Sequence, residues 1–303
     1  MNKILINTIR GFTNFIEKNK PDLVIIHGDR VEPLACAMSS VLANVKIAHV
    51  EGGEVSGTVD EILRHAISKL SHIHFVSNRI ARNRLLQMGE SKKSIFVVGS
   101  PDVDLILSKN LPALEAVKKR YGINYDRYAI SILHPVTTNT SNLKNEAKLF
   151  FQTLRDSEKN YIITYPNNDL GSSLILEEIK KYRRNKNFTI IPSLRFEYFL
   201  TLLKNSSFII GNSSCGIMEA PYYGIPTINL GDRQKNRMNS NRLLNIDFKK
   251  DLILKAIKFA EHNKTAKLNF FGTGKSAVKI DRIINSKKFW NIKLQKSFID
   301  FIN

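Results

Sequence analysis

The chain has 303 residues, 43% hydrophobic and 24% charged, a balance that fits a folded protein of two ordinary domains and not a disordered or fibrous one. Its 46 Lys and Arg against 27 Asp and Glu leave a formal charge of +19. Much of that excess is Lys scattered among Asn and Ile, and no nucleic-acid motif accompanies the basic stretch from Lys180 to Lys186, so no nucleic-acid partner is expected. No apolar run reaches a membrane span, and residues 1–20 lack the apolar core and cleavage site of a secretory signal. A cytoplasmic protein without membrane contact is the expectation. Cys36 and Cys215 stand in different halves, outside any C-x-x-C pair, which argues against a disulfide framework or a zinc site.

Apolar runs of strand length alternate with helix-period segments, the pattern of parallel βαβ units and hence of an α/β fold. In chain order, strands are predicted at residues 22–27, 45–50, 72–76 and 95–98, with helices beginning near Val31, Val59 and Ile80. A linker near residues 107–115 precedes strands at 128–133, 161–165, 188–191, 207–210 and 226–230. The expected division is an N-terminal domain over residues 1–114 and a C-terminal domain over 115–303 that keeps the last helices. Residues 195–204 carry Phe196, Phe199, Leu200 and Leu203 at helical spacing, which reads as a core face.

Open parallel sheets bind ligands beyond the carboxyl ends of their strands, so those positions carry the search for chemistry. The first strand ends His27-Gly28-Asp29-Arg30 and the second His49-Val50-Glu51-Gly52-Gly53-Glu54, while residues 56–61 open the next helix. Asp29, Glu51 and Asp60 are thereby expected near one sheet edge, where clustered acids raise one another's pKa and supply both protonated and ionised groups. Two of the three also have a plainer explanation. Asp29 can pair with Arg30, and Asp60 lies in the first turn of a helix whose Thr58 and Glu61 form a capping box. Gly52 and Gly53 are expected to let a ligand approach the backbone at Glu51.

In the second half, a strand runs into Gly211-Asn212-Ser213-Ser214-Cys215-Gly216 and a helix is expected to continue through Glu219. A strand, a small polar turn and a helix N-terminus make an anion site that fits a diphosphate, with Glu219 a turn inside to accept from ribose hydroxyls. Ser213 or Ser214 can equally serve as the helix cap. His134 and Asn167 follow the first two strands of this half. An imidazole there can meet phosphate, although a lone His after a strand is more often a structural hydrogen-bonder. Asp102-Val103-Asp104 mimics a metal-binding D-x-D but reads as a helix start. His72 and His74 share a strand face without a third ligand, so no metal is expected.

Taken together, HGDR, HVEGGEVSGTVDE, KLSHIHFV, GSPDVD, HPVTT, YPNND and GNSSCGIMEAP resemble the hydrolysing UDP-N-acetylglucosamine 2-epimerases of sialic acid biosynthesis, from about Ile6 to the C-terminus. The resemblance implies two Rossmann-like domains in the manner of glycosyltransferase-B enzymes, with UDP held mainly by the second. It implies anti elimination of UDP to a 2-acetamidoglucal and then addition of water to give N-acetylmannosamine, without metal or redox cofactor, in a homo-oligomer of two or four chains. Asp29, Glu51 and Asp60 match the family's proton-transfer and activating acids, with their roles undivided. Arg30, His134, Asn167, Ser213, Ser214, Glu219 and Arg233 match positions that hold UDP. The sequence departs from the common pattern at Asn139 and Thr273. Family members begin with a strand and a Gly-Thr-Arg loop, whereas Met1 falls where a later helix would lie. By that comparison the first domain lacks its first βα units, and the chain alone is expected to be poorly soluble or inactive. Competing readings are a 2-epimerase of UDP-2,4-diacetamido-2,4,6-trideoxyglucose, a UDP-sugar glycosyltransferase, and a non-catalytic nucleotide-sugar or nucleic-acid binding protein.

Overall fold

The apolar runs of the first third form a four-stranded sheet in the computed structural model, which describes residues 1–56, 59–136, 141–234, 243–297 and 299. The elements are α1 (Asn2–Asn19), β1 (Leu23–His27), α2 (Val31–Leu42), β2 (Lys46–Val50), α3 (Val59–Leu70), β3 (Ile73–Val76), α4 (Arg79–Gln87), β4 (Ile95–Val97) and α5 (Pro101–Ile106). The strands lie in the order β1-β2-β3-β4, and every neighbouring pair is parallel. β2 and β3 are buried at every position, which is why their sequences are continuous runs instead of alternating ones. β1 is an edge strand of this sheet, and its pattern alternates down to a half-exposed Ile25. Thr58, half of the expected capping box, lies outside the described residues.

The second unit contains α6 (Leu114–Tyr121), β5 (Ala129–Ile132), α7 (Leu143–Asp156), β6 (Tyr161–Thr164), α8 (Ser172–Lys180), β7 (Phe188–Ile191), α9 (Phe196–Lys204), β8 (Ile209–Gly211), α10 (Cys215–Met218), α11 (Ala220–Tyr223), β9 (Thr227–Leu230), β10 (Leu243–Ile246) and α12 (Lys250–His262). Its six parallel strands run β7-β6-β5-β8-β9-β10, the doubly wound order whose direction reverses between β5 and β8. The core centres on Tyr161, Phe150, Phe151, Phe188 and Phe208, with Tyr161 edge-on to Phe188 at 5.7 Å. In α9, Phe199, Leu200 and Leu203 are buried as their spacing predicts. β10 has no counterpart among the expected strands, being four residues long and buried only in part.

The division of the chain differs from the expected one at 114/115. Residues 270–303 group with the first unit, together with 1–55 and 59–107. Two short helices, α13 (Ser276–Ile284) and α14 (Lys287–Trp290), carry this return. Phe289 is fully buried and stacks on Phe75 at 6.3 Å, while Ile280, Ile283 and Ile284 pack on the cluster that contains Val50 and Val98. The polar anchors are equally long-range. The Asp104 carboxylate accepts from the N–H groups of Ser276 and Ala277, both at 2.8 Å, and so caps α13. Lys296 Nζ donates to the carbonyls of Lys69 (2.8 Å) and Ser71 (2.6 Å) at the C-terminal end of α3, where a cation is favoured, and pairs with Glu90 at 2.7 Å. Burial alone would raise the Glu90 carboxyl, but its bonds to His74, Lys296 and Lys69 outweigh that and hold it at about 2.

Phe289→Ala is expected to destabilise the first unit by about 3–5 kcal/mol, the usual cost of truncating a buried phenylalanine. Trp290 is the only tryptophan in the sequence, so its fluorescence during urea unfolding reads the effect. An unmoved midpoint would contradict the packing of α14 on Phe75.

Candidate active site

The strand ends of the first unit carry an acid and a cation at each expected position. Asp29 follows β1 and its carboxylate accepts from Arg64 of α3, whose other terminal nitrogen donates to the Glu54 carbonyl at 3.0 Å. Asp60, in the first turn of α3, faces Arg30 at 3.8 Å. Glu51 follows β2 and meets His27, the last residue of β1, at 3.2 Å. Each of the three acids at these strand ends is opposed by a positive or protonatable partner. The carboxyl group beside Glu51 is that of Asp102, in α5. His27, Glu51 and Asp102 bring their ligand-type atoms within 4.8 Å of one another, an arrangement able to share a proton or to accept a divalent cation. Burial raises the Asp102 carboxyl, and the Glu51 charge raises it further. For His27 the hydrogen bond to Glu51 raises the pKa above its ordinary value against the opposing effect of burial.

Glu51 is held in an uncommon backbone state, at φ +67°, which for a non-glycine residue costs about 1–3 kcal/mol. Its N–H donates to the Phe75 carbonyl at 2.9 Å, and Ser100 Oγ donates to its carboxylate. Ser100 also caps α5, accepting from the Asp102 N–H at 3.2 Å, and is itself pinned by the returning C-terminal segment, donating its N–H to the Phe271 carbonyl at 2.7 Å. The neighbouring glycines have a different purpose from the expected one. A Cβ at Gly53 would stand 2.3 Å from the Ala81 carbonyl oxygen, and one at Gly52 would stand 2.8 Å from Ser68 Oγ. They make room for α4 and α3, not for a ligand.

In the second unit the carboxyl ends of β5 and β8, on either side of the reversal point, are tied by Asn212. This residue is only 1% exposed; its Oδ1 accepts from the His134 N–H at 2.7 Å and its Nδ2 donates to the His134 carbonyl at 2.9 Å. Its own carbonyl accepts from Arg233 and Gln234, both at 3.2 Å. His134 Nδ1 accepts from the Asn167 N–H at 3.1 Å, so a neutral ring carries its hydrogen on Nε2. His134, Asn167, Ser213 and Arg233 are thus linked through Asn212 and its neighbours around one switch point, where open α/β sheets take their ligands. Arg30, the remaining expected UDP contact, sits in the first unit with Asp60.

The helix after this turn does not run through Glu219 as expected. It breaks into α10 and α11, with Glu219 at the junction, because Pro221 has no N–H to continue the ladder. Ser214 occupies the N-cap of α10 but its side chain makes no capping bond, while Ser213 Oγ accepts from Cys215 Sγ at 3.1 Å. Burial, with the Glu219 charge second, pushes the Cys215 thiol up, which leaves it inert. Thr137, Thr138 and Asn139 lie outside the described residues. Sequence reasoning had passed over Arg64, Ser100 and Asn212 and had taken Asp102 as a helix start only. For Arg64 the signal was present, one helical turn beyond Asp60 on α3; for Asn212 and Ser100 the partners lie 78 and 49 residues away and leave no local pattern.

A family model described as UDP-N-acetylglucosamine 2-epimerase matches residues 1–285. The chain belongs to that family. A UDP-N-acetylglucosamine 2-epimerase of Neisseria meningitidis is 45% identical over 304 residues, covering 99% of this chain and 80% of the relative. A UDP-N,N'-diacetylbacillosamine 2-epimerase (hydrolyzing) of Legionella pneumophila is 35% identical over 288 residues, covering 94% and 76%. Among solved structures, that of the Methanocaldococcus jannaschii UDP-GlcNAc 2-epimerase in complex with UDP-GlcNAc and UDP superposes with a TM-score of 0.80 at 28% identity, covering 92% of this chain and 80% of that one. The epimerase family accounts for the two parallel-sheet units. Among the described residues, no helix of this epimerase-family chain is long and apolar enough to cross a membrane.

His27 provides a pH test of the site. Its raised pKa means that the contact with Glu51 contributes stability fully below the ordinary value of 6.5 and loses it as pH rises through the raised one. The expected NMR titration midpoint of His27 lies above 6.5 and returns toward it in Glu51→Gln. A midpoint at or below 6.5 in the unaltered protein would remove the His27–Glu51 contact from the site.

Proposed function

We propose that this family member is a hydrolysing UDP-N-acetylglucosamine 2-epimerase, which converts its substrate and water into UDP and N-acetylmannosamine. The observation that carries this reading is the pairing at Glu51. A carboxylate fixed by its backbone and by Ser100 stands beside both a proton-bearing imidazole and the raised carboxyl of Asp102, which supports proton removal and proton delivery at one place. In the proposed reaction a base takes the C2 proton, the C1–O bond to UDP breaks and a 2-acetamidoglucal remains. Water then adds its hydroxyl at C1 while a proton returns to C2 on the opposite face. Asp29, Glu51 and Asp60 are proposed as the acids and bases of these steps. His134, Asn167, Ser213, Ser214, Glu219 and Arg233, with Arg30, are proposed to hold UDP, the phosphates meeting the turn after β8 and the ribose meeting Glu219.

The Legionella relative's name supports both the hydrolytic outcome and a second substrate, a UDP-2,4-diacetamido-2,4,6-trideoxyhexose. Assaying both nucleotide sugars side by side, without any acceptor, decides between them. Release of UDP with a free 2-epimer is the expected result, and turnover that requires an acceptor would replace the proposal with a glycosyltransferase.

Asp29→Asn and Glu51→Gln are each expected to lower turnover by about 10²–10⁴-fold, the usual worth of a positioned acid or base, with UDP affinity by calorimetry little changed. Near-normal turnover in either variant would strip that residue of a proton-transfer role. Glu219→Ala is expected to do the reverse, weakening UDP by about 2–4 kcal/mol through the loss of charged hydrogen bonds. An unchanged UDP isotherm would rule out the ribose contact.

A further inference from the structure

We propose that His49 is a positioning residue for Asp29, its buried ring coupling Ser68 of α3 to the carbonyl of Gly28, the residue that precedes Asp29. The proposal rests on the reading of Asp29 as a proton-transfer group. His49 lies in β2, fully buried, with Nε2 3.0 Å from the Gly28 carbonyl oxygen and Nδ1 3.0 Å from Ser68 Oγ. A carbonyl oxygen can only accept, so Nε2 carries the hydrogen, and Nδ1 must then accept from the Ser68 hydroxyl. In the neutral ring the geometry therefore fixes the tautomer and the direction of the chain, Ser68 Oγ–H to Nδ1 and Nε2–H to Gly28. Burial, the largest influence, pushes the imidazole down to about 3, so the ring stays neutral and the chain keeps this direction through the physiological range.

Three further observations place this relay in the service of Asp29. Gly28 sits at φ +88°, and its own N–H reaches the Val50 carbonyl only at 3.4 Å, so the bond from His49 is the tighter restraint on the turn. Ser68 and Arg64 stand four residues apart on α3 and so share a face. That one face grips the turn twice, through Arg64 on the Asp29 carboxylate and through Ser68 and His49 on the preceding carbonyl. Finally, the chain passes this hydrogen bond at Gly52, where a Cβ would lie 2.8 Å from Ser68 Oγ and 2.9 Å from Nδ1, so a larger residue would separate the pair.

A merely structural histidine and a positioning one respond differently to two isosteric substitutions. The amide nitrogen of Gln reaches the place of Nε2, and that of Asn reaches the place of Nδ1. His49→Gln keeps a donor for Gly28, and His49→Asn loses it. The expected kcat of His49→Asn falls by about 10–100-fold with KM nearly unchanged, while His49→Gln recovers most of the loss and the two share an unfolding midpoint. Ser68→Ala, a smaller change, is expected to lower kcat in the same way should His49→Asn fail to fold. Equal kcat in the Asn and Gln variants, or a wild-type Ser68→Ala rate, would overturn the proposal. So would a nitrogen-15 spectrum of the unaltered protein with the His49 proton on Nδ1. If the unaltered chain turns over neither nucleotide sugar, the functional reading fails instead. The positioning claim is then read from the carboxyl carbon resonance of Asp29, which is expected to shift in His49→Asn and not in His49→Gln; the same shift in both overturns it.

Discussion

A buried guanidinium organises the first unit. Arg64 is 3% exposed, and a charge so placed costs several kcal/mol to desolvate unless it is matched by a counter-charge and by acceptors for its remaining hydrogens. The match comes from two segments that would otherwise be independent loops, the Asp29 carboxylate after β1 and the Glu54 carbonyl after β2. Neither loop can move without leaving the charge unpaired. The proposed site is therefore built around α3, which carries Asp60 in its first turn, Arg64 one turn later, Ser68 one turn after that, and receives Lys296 on its last carbonyls. A single rigid element holding several reactive groups is what positioning chemistry demands, since an error near 1 Å at the reacting atoms costs about 10²-fold in rate.

The second unit uses a neutral device for the same end. Asn212 pairs its amide with both backbone groups of His134, so it acts as one rung of a sheet ladder placed beyond the ends of the strands. The strand ends on the two sides of the reversal are thereby fixed relative to each other, with Arg233 bound to the same residue. The contrast follows from the chemistry proposed for each unit: proton transfer needs carboxylates whose charge is controlled, while anion binding needs donors that are oriented.

What could be read from the residues alone follows the range of the forces involved. The nine strands predicted from apolar runs all formed, within a residue or two at most ends, because burial of a parallel strand is written in its own four to six side chains. α3 and α9 were visible for the same reason, through their period. Legibility fell where a feature depended on distant partners. Gly52 and Gly53 looked like openings for a ligand, and only the packing of Ser68 and Ala81 shows that protein fills that space. The acids at the strand ends were legible one by one, but sequence does not reveal that Arg64, Arg30 and His27 arrive with them. β10 was missed because a four-residue, half-buried strand carries too little apolar signal. The return of α13 and α14 was missed because Phe289 and its isoleucines look the same whichever core they enter.

That return makes the second unit an insertion within the first. Residues 1–107 emerge from the ribosome long before Phe289, Asp104's partners on α13, or Lys296 exist to complete their core, and the 162 residues from Ser108 to Asn269 must be made in between. At ordinary elongation speeds of about 5–20 residues per second, that interval lasts roughly 8–30 s. During it the cluster of Phe75 and Val98 lacks Phe289, and the last carbonyls of α3 lack Lys296. By this thread the first sheet receives its last cover only once α14 has been made.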